Sequence, residues 1–135
     1  MYLLDTNVIS ELRRPRPHGA VLAWLRATAD EDLFISAVTL GELQAGIELT
    51  REHDEAKAAD IASWLDRVSQ TMTVLPMDGR AFRCWARLIH RRSHDLIEDA
   101  MTAATAIVHD LTVVTRNARD FEHFGVRLLD PFTVK

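Results

Sequence analysis

The sequence predicts an α/β fold in which a parallel sheet is covered by helices on both faces. Three observations lead there. Short apolar runs alternate with amphipathic stretches along the chain. The length of 135 residues suits one compact domain with one core. With 47% hydrophobic and 27% charged residues, the composition is that of an ordinary globular protein and excludes a disordered one. No internal repeat, low-complexity segment or linker interrupts the chain, so a single domain over residues 1–135 is expected.

Each element has its own signal. Tyr2-Leu3-Leu4 is a short apolar run that makes the first strand and ends at Asp5. Thr6 is a suitable cap for a helix running to Arg13. Pro15 and Pro17 break the chain, and a second helix follows over residues 18–28, with Val21, Trp24, Leu25 and Thr28 spaced along one face. Leu33-Phe34-Ile35 forms the second strand, and Ser36 caps a helix carrying Leu40, Leu43 and Ile47 on one side. Residues 50–57 are strongly charged and mark an exposed corner; Ile61, Trp64, Leu65 and Val68 then define another amphipathic helix. Thr73-Val74-Leu75 is the third strand, closed by Pro76. From Ala81 to Arg92 the pattern is helical, with Phe82, Trp85, Ala86 and Ile89 turned inward. Residues 100–109 are small enough for a closely packed helix; Thr112-Val113-Val114-Thr115 is the fourth strand and Arg127-Leu128-Leu129 the last.

Bulk properties exclude some functions. A net charge of −4 does not suggest a protein that coats nucleic acid by overall charge, so RNA binding would need a local patch, a metal, or both. The apolar runs are too short to span a membrane, and Met1-Tyr2-Leu3-Leu4-Asp5 lacks the basic start of a signal peptide, so a cytoplasmic protein is expected. The lone Cys84, among Phe82, Trp85 and Leu88, reads as a small core residue. His90 and His94 have the spacing of a metal pair, but no third ligand follows at a recognisable interval, and they read as surface residues. Trp24, Trp64 and Trp85 fall on apolar stripes, which favours core packing over base stacking. Arginines gather at 13, 14 and 16, at 83, 87 and 91, and at 116 and 119. For the 83–91 stripe a solvated face and an RNA contact weigh equally; Arg116 is the better RNA candidate because of the acids near it.

In an open parallel sheet, ligands bind beyond the carboxyl ends of the strands. Asp5 follows the first strand directly, Glu42 lies in the second turn of the helix after the second, Asp99 opens the helix feeding the fourth, and Asn117 and Asp120 follow that strand. Glu42 shares a helix face with the apolar Val38, Ala45 and Leu49, where a charge is costly unless paired or bound to a metal. Each acid has a plainer reading. Glu42 can be an exposed glutamate, Asp5-Thr6-Asn7 a capped helix start, and Asp99 a favourable charge at a helix N-terminus. Their joint placement at one sheet edge favours a carboxylate cluster. Hard oxygen ligands of this kind select Mg²⁺ or Mn²⁺ over zinc, and crowded carboxylates need a cation to offset their repulsion.

Four segments carry a family resemblance: Asp5-Thr6-Asn7-Val8; Ser36-Ala37-Val38-Thr39-Leu40-Gly41-Glu42-Leu43 with Gly46 after it; Glu98-Asp99-Ala100-Met101-Thr102-Ala103-Ala104-Thr105-Ala106; and Thr115-Arg116-Asn117 followed by Asp120-Phe121. In this order, over nearly the whole chain, they resemble PIN-domain proteins. The nearest likeness is to VapC toxins of bacterial type II toxin–antitoxin pairs, in their FitB-like branch. The resemblance implies a three-layer α/β/α fold with a central parallel sheet and a toxic endoribonuclease dependent on Mg²⁺, with Mn²⁺ as a substitute. It also implies a homodimer and a cognate antitoxin of the VapB/FitA kind, through which alone the protein would reach operator DNA. By position it implies Asp5, Glu42 and Asp99 as the catalytic acids, with Asp5 and Asp99 as metal ligands. Asn117 stands at the fourth acid position, where some members have Asp. Asp120 is a supporting acid or only a helix residue, Thr6 orients a ligand or water or only caps, Thr115 supports the site, and Arg116 contacts RNA.

Other readings compete. A signalling receiver domain would need an Asp ending its central strand and a Lys ending its last; here the third strand ends at Leu75-Pro76 and the last runs into Asp130-Pro131. A catalytically silent binding module is opposed by the acid trio and kept open by Asn117, and DNA is an alternative substrate. Leu40, Leu43, Ile47, Ile61, Trp64 and Leu65 exceed what one small core face needs, which points to a partner surface on the helices over residues 36–72.

Overall fold

The computed structural model describes residues 1–133. Five strands, β1 (Tyr2–Leu4), β2 (Leu33–Ser36), β3 (Thr73–Leu75), β4 (Thr112–Val114) and β5 (Leu128–Leu129), pair in parallel in the order β3-β2-β1-β4-β5. Strand β1 is central because the chain builds outward from it twice, to β2 and β3 on one side and to β4 and β5 on the other. That reversal opens a crevice at the carboxyl ends of β1 and β4.

Alternation along β1 sets the two helical layers. Leu3 packs with Ala100, Ala103, Ala106, Val113 and Phe121, under α5 (Gly79–Ile89), α6 (Ile97–His109) and α7 (Ala118–Phe121). Leu4 faces the opposite way, onto Val8, Ile9, Val21 and Val68 from α1 (Thr6–Ile9), α2 (Gly19–Ala27) and α4 (Glu55–Thr71). Strands covered on both faces need apolar residues at consecutive positions, which is why β1 reads as a run rather than an alternation. The small residues of α6 let it lie close to the sheet, with Ala100, Ala103, Ala104 and Ala106 fully buried. The result is a three-layer α/β/α fold.

Four sequence expectations need correction. Thr6 is not a cap: Asp5 caps α1 by accepting a hydrogen bond from the Thr6 N–H, and the helix tightens after Ile9 into a 3₁₀ turn over Ser10–Arg13. On α5 the inward stripe is Ala81, Cys84, Trp85 and Leu88, not Phe82 and Ala86. Phe82 is 46% exposed and lies edge-on to Trp85, because the small residues Ala81 and Cys84 let α5 sit close to α6. Helix α5 also stops at Ile89 rather than Arg92, since Arg91 adopts a left-handed conformation with φ 61°. Finally, the apolar residues assigned to a partner are used in part within the chain: Ile47 and Leu65 are buried, the others only half-buried. Leu40 and Leu43 of α3 (Ala37–Arg51) meet Ile61 and Trp64 of α4 around the buried Ile47, Ala58 and Leu65, so this helical hairpin has a core of its own.

Candidate active site

Asp5 is still part of the sheet through its backbone, whose N–H donates to the Val114 carbonyl at 2.9 Å. Its side chain projects into the crevice mouth and is bound from three directions. The Thr6 N–H donates to Oδ1 at 2.8 Å, the Thr115 hydroxyl to Oδ2 at 2.8 Å, and the Asn7 amide to Oδ2 at 3.4 Å. Thr115, at the end of β4, is fully buried and also accepts from Asn7 Nδ2 and from the Asn117 N–H. Asn7 Oδ1 in turn accepts from the Arg116 N–H at 3.1 Å. Asn7 therefore ties the loop after β1 to the loop after β4, a role that two residues separated by more than 100 positions do not advertise in sequence.

Glu42 is reached from α1. The Thr6 hydroxyl lies 3.1 Å from Glu42 Oε1 and 3.4 Å from the Thr39 hydroxyl. With one proton to donate, it favours the nearer, charged acceptor. Glu42 is half-buried, but not by its own helix face: Ala45 is exposed and Leu49 is 63% exposed. Its burial is tertiary: α3 packs against α1 and α6. Asp99 sits in the first turn of α6 and is also half-buried.

The three acids feel one another. Burial, then the charges of Asp5, Glu98 and Asp99, push the Glu42 carboxyl up to about 7 against the bond from Thr6. Burial, then Asp5, Asp120 and Glu98, push Asp99 up to about 6. Asp5 is also raised by burial, against the bonds from Thr115 and Thr6. Asp120 thus belongs to the electrostatics of the site although its residue is exposed, as does Glu98, which the sequence reading passed over. Asn117 is exposed at the start of α7; its backbone is bound by Thr115, but its side chain makes no capping bond.

Among the described residues, none of these acids is paired with a base. The ion pairs are Arg14–Glu11, Arg51 with Glu48 and Glu55, and Arg127–Asp110. Nor, among the described residues, are three His, Cys, Asp or Glu side chains already gathered into a metal cage. An all-oxygen set of mutually repelling carboxylates fits a hard divalent cation such as Mg²⁺, which keeps much of its water and needs only one or two protein carboxylates. The Arg83 and Arg87 stripe lies elsewhere. With Arg80 it lines a concavity against Ile107 and Val108, at the far end of α6 from Asp99.

The PIN-domain family profile matches residues 2–126, and the chain belongs to that family. It is similar to the toxin FitB of Neisseria gonorrhoeae, at 33% identity over 98% of this chain and 99% of that one. It is likewise similar to the VapC ribonuclease Y4jK of Sinorhizobium fredii, at 36% identity over 98% of each. A solved structure of FitAB bound to a DNA fragment contains a chain that superimposes with a TM-score of 0.85 at 31% identity, covering 100% of this chain and 98% of that one.

Proposed function

We propose that this protein is a toxic, metal-dependent endoribonuclease that hydrolyses RNA phosphodiester bonds and is neutralised by a cognate antitoxin. The observation that carries this reading is that Asp5, Glu42 and Asp99 lie close enough at the carboxyl-end side of the sheet for Asp5 to raise the other two, while none of them has a basic partner among the described residues. Asp5 and Asp99 would hold Mg²⁺, for which Mn²⁺ can substitute. The cation would neutralise the cluster and stabilise charge on the substrate's phosphodiester oxygens. Glu42 is suited to proton transfer. Thr6 holds Oε1, which leaves Oε2 to take the proton of an attacking water; burial and the neighbouring acids raise this carboxyl and so strengthen it as a base, and a bound cation would draw it back down. Thr115 and Asn7 keep the Asp5 carboxylate in one orientation, Asp120 adds negative charge, Asn117 lies at the rim, and Arg116 is the RNA contact.

The similarity to FitB and VapC proteins, and to a FitAB complex on DNA, supports a small antitoxin partner that brings the pair to operator DNA. A homodimer and a cytoplasmic location complete the proposal, together with a single domain over residues 1–135. Among the described residues, no helix is long and apolar enough to cross a membrane. The test is cleavage of single-stranded RNA by the purified chain with Mg²⁺ or Mn²⁺. Cleavage that persists in EDTA, in a preparation free of other nucleases, overturns the metal-dependent reading; cleavage of DNA alone overturns the substrate.

A further inference from the structure

Arg116 stands at the lip of the acidic site, one residue beyond Thr115, with its backbone N–H held by Asn7. A guanidinium whose backbone adjoins an acidic site could fold onto its carboxylates, yet Arg116 makes no ion pair among the described residues. Its guanidinium carbon instead lies 3.8 Å from the centroid of the Phe132 ring. The ring is itself held in place. The Phe132 N–H donates to Asp130 Oδ1 at 2.9 Å, His18 packs edge-on at 5.1 Å, and the side chain rests on the Leu4 side of the core. A guanidinium stacked on a ring engages through its face and keeps its five N–H donors, which lie in its plane, free. Those donors form the fork that grips a phosphate with two hydrogen bonds.

We propose that Phe132 is a positioning residue that holds Arg116 off the carboxylates and presents it to a phosphate of the RNA strand. This rests on the ribonuclease reading above and assigns that site its anion-binding arm. The arrangement separates two jobs that would otherwise cancel: the carboxylates keep their charge for a cation, and the arginine keeps its donors for the substrate.

A double-mutant cycle tests it. RNA binding is read by fluorescence anisotropy on a labelled single-stranded oligonucleotide in an Asp5→Asn background, which removes cleavage. Kinetics are read in the otherwise native chain. Phe132→Leu is expected to weaken RNA binding about two- to fivefold, the worth of an exposed cation–π contact. It should raise KM by a similar factor and leave kcat alone, while Phe132→Tyr restores both. Arg116→Ala is expected to weaken binding by about tenfold or more and to lower the salt slope by about 0.7. In the Arg116→Ala background, Phe132→Leu should have no further effect, because the arm it positions is gone. Equal losses from Phe132→Leu in both backgrounds would show a packing role only and overturn the proposal, as would unchanged binding or an absence of RNA binding by the Asp5→Asn protein. A native chain that binds RNA but cuts none refutes the ribonuclease reading, while the binding cycle still decides the role of Phe132.

Discussion

The Thr6 hydroxyl lies 3.1 Å from Glu42 Oε1, joining the helix that leaves β1 to the helix that leaves β2. This bond opposes the upward push of burial on Glu42. Removing it with Thr6→Val should raise the Glu42 pKa further. A base must be deprotonated to act, so the rising limb of the kcat–pH profile should move to higher pH and activity at neutral pH should fall, with KM little changed. A profile that keeps its midpoint while KM rises would make Thr6 a substrate contact instead.

Both Glu42, at about 7, and Asp99, at about 6, are raised above their ordinary values of 4.5 and 3.8. A raised folded-state pKa means that the native state holds the proton more tightly than the unfolded chain. The stability from these groups is therefore fully present below their unfolded values and is lost as pH rises through 6 and then 7. In EDTA, Asp99→Asn should melt at a higher temperature than the native chain at pH 8, and the gap should close toward pH 4. Mg²⁺ should raise the Tm of the native chain at pH 8 and do little at pH 4. A lower Tm for Asp99→Asn in EDTA at pH 8 would show that Asp99 is compensated in the metal-free protein.

Asp5→Ala, Glu42→Ala and Asp99→Ala are each expected to abolish growth arrest on expression while leaving a folded protein. The stability effects should differ. Asp5 alone also caps a helix, so its alanine variant should lose about 1 kcal/mol from that source. The loss should be smaller in Asp5→Asn, which keeps an oxygen for Thr6. Growth arrest by a folded Asp99→Ala chain contradicts the assignment.

Beside the fourth acid position, the charge of Asp120 helps to raise Asp99, while the Asn117 side chain makes no capping bond at the start of α7. Asp120→Ala should therefore weaken Mg²⁺ binding in a calorimetric titration. Asn117→Asp, which adds a charge at the rim, should tighten it. Unchanged affinity in both variants would leave Asp5, Glu42 and Asp99 as the whole site.

Much of this was legible in sequence because it is local. Apolar runs and capping residues act over a few positions, so all five strands and the long helices fall close to where periodicity puts them. Ser36 caps α3 as read, and Cys84 is buried. The acids were legible for a related reason: each follows a strand or starts a helix, and a parallel sheet brings such positions to one edge. Periodicity failed on α5. A large residue beside a stripe of small ones was read as core, whereas close approach to α6 selects Ala81 and Cys84 and leaves Phe82 outside.

By itself, then, the sequence determined the layers, the strand positions and which acids follow a strand or open a helix. Only the tertiary structure decided how the site is wired. Thr6 turns to Glu42 rather than capping its own helix, Thr115 reaches back more than 100 residues to hold Asp5 and Asn7, and Arg116 lies on Phe132 rather than on an acid. It also decided that the apolar faces of α3 and α4 satisfy each other in part. The reason is physical. A side chain with several acceptable partners takes the one whose distance and solvent exposure make the contact strongest, and those are set by where distant elements pack, not by neighbours in the chain.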